Sequence, residues 1–181
     1  PPKPQNPRGD PSLIIKNYLV ELREMAAVAT TFPAWEQVMA KYGYDWEAFP
    51  VTTEDGYILI TFHITGKTGE DHQDPLESKG TVLVQHGDLQ DATLWLDQFE
   101  TGVPFHLQLV DAGYDVWMGN NRGTRYSRGH TSLDPADEEY WQYTWADMGL
   151  YDDPAIISKI KEETGQDKIF YVGYSQGTVQ M

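Results

Sequence analysis

The sequence predicts an α/β fold, with a β-hairpin leading into a mainly parallel sheet that carries helices on both faces. Three observations predict it. β-rich runs flank a Glu54-Asp55-Gly56 turn, the chemistry of a tight hairpin. From residue 81 onward, short apolar runs alternate with helix-length segments. The chemically capable residues, His86-Gly87, Asn120 to Arg122 and Ser175, fall just after those apolar runs. In parallel sheets, working residues gather beyond the carboxyl ends of the strands.

Taken in order, residues 1–11 are rich in proline and should form an extended arm. Ser12 is placed to cap a helix over about 13–29, with Ile14, Ile15, Tyr18, Leu19, Leu22 and Met25 on one stripe. The hairpin follows, with strands at 51–53 and 57–64, and then a polar loop over 66–80. Thr81-Val82-Leu83-Val84-Gln85 is a buried strand by composition, and the stretch after it carries no clear period. A helix over 103–112 should be closed by Gly113, and a strand should occupy 114–118. A helix over 145–164 should be closed by Gly165, and the last strand should occupy 169–174. Asp152-Asp153-Pro154 has the character of a helix start rather than of a metal site.

With 181 residues, 40% hydrophobic and 13% aromatic, the chain suits one globular domain. Thirteen basic against twenty-eight acidic residues leave a net charge of −15. Such a surface repels phosphate backbones, which speaks against nucleic-acid binding. There is no cysteine, so disulfides and thiolate chemistry are excluded. That absence, with the lack of an N-x-[ST] acceptor, leans toward an intracellular compartment.

Gly173-Tyr174-Ser175-Gln176-Gly177 is a G-x-S-x-G motif directly after an apolar strand. Glycine makes up about 7% of average residues, so a chance match in such a chain arises about one time in twenty. The strand before it and the alternating context therefore carry the argument. A serine hydroxyl is a poor nucleophile, and it must be held exposed beside a base and a pair of oxyanion donors. A tight strand-to-helix turn does this, and its crowding admits only small neighbours, hence Gly173 and Gly177. The N–H of Gln176 opens the next helix and is one candidate donor. Asn120, Arg122 and Gly123 sit at another strand end, where Arg122 could bind an anionic substrate group or brace the loops against Asp147 or Asp152. Bracing is the simpler reading. Tyr140, Trp141, Tyr143 and Trp145 could line an acyl pocket or simply pack.

Together, "YGYDWEAFPVTTEDGYIL", "VLVQHG", "LVDAGYDVWMGNNRGTRYSRGHTSL", "YDDPAI" and "TGQDKIFYVGYSQGT" resemble the acid lipases, the group that includes gastric and lysosomal acid lipases. The resemblance runs from about residue 41 to 178. It implies the amino-terminal half of an α/β-hydrolase fold, acting on neutral lipid esters such as triacylglycerols or steryl esters. No cofactor and no metal are implied. Ser175 would be the nucleophile, with oxyanion amides on Gln176 and on Asp88, the residue after His86-Gly87. Gly87 would let the backbone approach the reacting carbonyl, and His86, Asn120 and Arg122 would be structural near the site.

In this fold the acid and the histidine follow the serine in the chain, so His63, His72, His86, His106 and His130 should not be the base. Two positions depart from the pattern. Asp88 stands where the family has an apolar residue, and its carboxylate would oppose an oxyanion unless it turns away or is protonated. Tyr174 stands where histidine is common.

The expected organisation is an arm and helix over 1–35 and a partial hydrolase domain over 36–181. Asp and His would come from outside this chain, on a separate or missing carboxy-terminal polypeptide. Alone, the chain would then be nearly inactive. The alternative is a lipase-derived structural subunit of a larger assembly that has lost catalysis. The family suggests a lysosomal or secreted setting, against the intracellular lean of the composition.

Overall fold

Asp55 and Gly56 close the hairpin as its turn chemistry predicts, with Gly56 at φ 99° and Thr53 N–H donating to Tyr57 O. The structure is a computed structural model that describes residues 31–71, 74–97 and 102–181. The amino-terminal arm, the helix expected over 13–29 and His72 lie outside the described residues.

The hairpin strands, β1 (Tyr44–Thr52) and β2 (Tyr57–Lys67), are longer than the composition suggested and pair antiparallel. Before them, α1 (Pro33–Tyr42) starts on a proline at its first turn and ends at left-handed Gly43, whose N–H donates to Met39 O. This helix was not legible as a separate element. It buries Trp35, Val38 and Met39, and Trp35 stacks on Phe62 of β2 at 4.3 Å.

The further strands and main helices are β3 (Thr81–Gln85), α2 (Ala92–Asp97), α3 (Phe105–Asp111), β4 (Asp115–Gly119), β5 (Gly129–His130), α4 (Asp153–Thr164), β6 (Phe170–Gly173) and α5 (Gln176–Gln180). The stretch expected to be irregular after β3 therefore holds a short helix. Strand order in the sheet is β1-β2-β4-β3-β6, with β5 beside β2. The sheet is mixed, with the antiparallel hairpin leading into a parallel part. β4, β3 and β6 run parallel, and β2 meets β1, β4 and β5 antiparallel.

Both faces are covered. Along β3 and β4, Val82, Val84, Val116 and Met118 enter one core with Trp35, Leu96 and Leu107, while Leu83 and Trp117 enter the other with Ile156 and Ile160 of α4. This is the period of two expected of strands buried on both sides. Burying one such aliphatic or aromatic side chain contributes about 1.5–3 kcal/mol.

One expectation is corrected at Asp152. The chain is already helical from Trp145, through a π turn over Met148–Asp152, and runs straight into α4. Asp152 makes no capping hydrogen bond. Its carboxylate is taken by Arg122 instead.

Candidate active site

Ser175 lies between β6 and α5 at φ 51° and ψ −118°, a sharp bend at a strand's tip. A non-glycine residue held there costs about 1–3 kcal/mol, so its surroundings must enforce it. The glycines do so by allowing close approach. A Cβ on Gly173 would lie 2.4 Å from Gly177 O, and one on Gly177 would lie 2.8 Å from both Gln85 O and His86 O. A Cβ on Gly87 would lie 3.0 Å from Ser175 Cβ. Tyr174 N–H donates to Gln85 O at 3.0 Å, which ties the bend to the end of β3.

The predicted residues Ser175, Gly87, Gly173 and Gly177 thus meet at one point. Ser175 is exposed, and its Oγ has no hydrogen-bond partner among the described residues.

His86 is buried beside this bend with both ring nitrogens engaged. Nδ1 lies 2.7 Å from Gly87 O, and Nε2 accepts from Asn121 N–H at 3.1 Å. Since a carbonyl only accepts, the proton is on Nδ1 and the ring is neutral. Burial also lowers its pKa. A ring so occupied has no free nitrogen to act as a base. The hydrogen bond to Gly87 O orients the Gly87–Asp88 peptide and hence the Asp88 amide.

Asp88 is exposed, and its carboxylate accepts from Leu89 N–H at 2.9 Å. Leu89 itself sits at φ 57°. The side chain is folded onto the following amide. A cleft of about 420 Å³ opens here, lined by His86, Gly87, Asp88, Gln176, Trp141 and Tyr143 among others. Tyr140 is not part of its wall. It is fully buried in the second core, and Trp145 points to solvent.

Asn120 is fully buried, donating to Ile60 O at 2.8 Å and accepting from Ala92 N–H at 2.9 Å, so it joins β2 to the start of α2. Arg122 is buried in an ion-pair network. Its Nε donates to Asp152 Oδ1 at 2.8 Å, its backbone N–H donates to Asp152 Oδ2 at 2.9 Å, and both terminal nitrogens reach Asp55. The guanidinium also lies over the Tyr57 ring at 3.9 Å. Burial works against its charge, but the two carboxylates outweigh that and raise its pKa.

Partial burial pushes Asp55 up as well, but hydrogen bonds from Arg122 and Thr53 hold its carboxyl below the usual range. Asp147, the other partner considered for Arg122, accepts from Thr144 instead. Asp55 was legible only as a turn residue. Its role across the fold had no sequence signal, because the two residues lie 67 positions apart.

The other described histidines are held elsewhere. His63 pairs with Asp115 at 2.6 Å, His130 bonds the hairpin turn and the residues after it, and His106 is buried against Trp95.

A family model described as the α/β hydrolase fold matches residues 80–181. The chain belongs to the α/β-hydrolase family. A second model, a partial α/β-hydrolase lipase region, matches residues 35–98 of this hydrolase chain. Its curated relatives include mouse lipase member K, 41% identical over 142 residues covering 78% of this chain and 35% of that one. Rat gastric triacylglycerol lipase is 39% identical over 142 residues, covering 78% and 35%. An esterase of Pyrococcus furiosus shares the fold with a TM-score of 0.54 at 20% identity, covering 84% of this chain and 48% of that one. The hydrolase chain spans about a third of the length of these curated relatives.

Proposed function

We propose that this chain carries the nucleophile and the oxyanion donors of a serine hydrolase that cleaves neutral lipid esters, triacylglycerols or steryl esters. The observation that carries the reading is the left-handed Ser175 at the junction of β6 and α5. Its lipase relatives support the substrate class.

Ser175 Oγ attacks the ester carbonyl carbon as its proton passes to a histidine. The amides of Asp88 and Gln176 hold the oxyanion. Collapse expels the alcohol and leaves an acyl-serine, which water then hydrolyses. The histidine and its orienting acid come from polypeptide outside these residues, since His86 has both nitrogens engaged and the other described histidines are held elsewhere. With Ser175 and its donors alone, only a small residual rate is expected.

A fluorophosphonate probe on the natural protein should label Ser175, and Ser175→Ala should abolish the label. An unlabelled natural protein would overturn the reading.

A second reading, a lipase-derived structural subunit without turnover, is favoured by Asp88, whose carboxylate stands beside an oxyanion amide. The Asp88–Leu89 hydrogen bond weakens that objection by turning the charge toward Leu89. Release of fatty acid from emulsified triolein by the natural protein, lost in Ser175→Ala, separates the two.

A further inference from the structure

Gly177 is the last residue of the bend, and its position sets that of Ser175. Gly177 N–H donates to Tyr174 O, and Thr178 N–H donates to Ser175 O, both at 2.9 Å. Its carbonyl oxygen faces Gly173 on one side and the Tyr171 hydroxyl, 2.6 Å away, on the other. Tyr171 Oη is also 3.3 Å from Asp153 Oδ2 at the start of α4.

The phenol has one proton, and a carbonyl can only accept. The shorter contact therefore takes that proton, and the Asp153 contact is satisfied only if the carboxyl group donates to Tyr171 Oη. Asp153 is 2% exposed, and its Oδ1 has no partner among the described residues. A carboxylate with a bare buried oxygen is poorly stabilised, whereas a neutral acid leaves only a carbonyl oxygen unpaired.

We propose that Tyr171 is a positioning residue for Ser175, holding the Gly177 carbonyl by a hydroxyl that a neutral Asp153 holds in turn. The inference rests on the serine-hydrolase reading for its effect on reactivity, but not for its effect on the bend.

Burial pushes the Asp153 carboxyl up to about 7, and the charge of Asp152 adds to that rise. The groups facing Asp153 are Asp152 on the π turn, itself bound to Arg122, and Tyr171 on β6. Above the midpoint, an ionised Asp153 draws the Tyr171 proton toward itself, and the Gly177 carbonyl loses its donor. The bend should therefore be tightest on the acid side.

Two measurements on the natural protein test this. The first does not depend on catalysis. The ¹³C resonance of the Asp153 carboxyl group should titrate near 7, and Thr178 amide exchange should quicken as it ionises. A carboxyl group titrating near its ordinary 3.8 overturns the inference, as does exchange unaffected by Tyr171→Phe.

The second measurement is the fluorophosphonate labelling rate. Tyr171→Phe should slow it about three- to tenfold. Asp153→Asn, which keeps a neutral donor, should match the natural protein at pH 5.5 and exceed it above pH 7. A ratio constant with pH overturns the inference. If the first test succeeds while the natural protein is never labelled, the catalytic reading fails and the Tyr171 brace stands.

Discussion

Asp152 and Asp153 are neighbours in the chain and both are nearly inaccessible to solvent, yet their surroundings hold them in different ways. Asp152 receives the Nε, a terminal nitrogen and the backbone N–H of Arg122. Among the described residues, Asp153 meets one tyrosine hydroxyl and no cation, with one oxygen unpartnered. Burial pushes both upward, Asp152 to about 6 against the opposing pull of Arg122 and Asp153 to about 7. Depth alone does not fix the charge of a carboxyl group. The count and kind of donors that reach it decide.

The strongest way to break the contrast is to remove the cation. Arg122→Met leaves Asp152 buried with a single backbone donor and should lower stability by about 3–5 kcal/mol, read as a shift in urea midpoint at pH 7.5. Destabilisation below 1 kcal/mol would mean that Asp152 was not held as a carboxylate by Arg122.

The contrast sharpens at Asp153. Its folded pKa lies above the ordinary 3.8, so between those values the folded form keeps a proton that the unfolded chain has released. Stability conferred by the neutral acid is complete below about 4 and declines as pH rises to about 7. Asp153→Asn removes this component of the slope and should be more stable than the natural protein by about 1–3 kcal/mol above pH 7, and close to it only below about pH 4. Thermal denaturation across that range checks the sign.

The smallest effect is expected at Asp55, the exposed end of the network. Its side chain is 29% accessible, and Asp55→Asn should cost about 1 kcal/mol or less, because Asp152 still balances Arg122. A loss as large as that of Arg122→Met would show the two carboxylates to be equivalent.

Much of the frame is legible in the sequence. The short apolar runs of β3 and β4, glycine after α3 and α4, and the Asp55-Gly56 turn are local signals, and each marks an element of the structure within a few residues. The crowding around Ser175 was also legible, because only glycine fits where three backbone segments converge. Helix α1 was missed for lack of a strong start signal, since Phe32 caps it with no side-chain hydrogen bond. The bracing of Arg122 by Asp152 was among the readings of the sequence and holds, whereas the helix start expected at Asp152 fails because an Asp-Asp-Pro run looks the same whether it opens a helix or lies inside one.

By itself, the sequence determined the strands, the turns and the bend that presents Ser175, since these follow from side-chain period and backbone sterics over a few residues. The tertiary structure alone decided which nitrogen of His86 carries the proton, where the Asp88 carboxylate turns, and which donors reach Asp152 and Asp153. Those outcomes depend on donors and on exclusion of water, and folding brings them together from segments that share no local pattern.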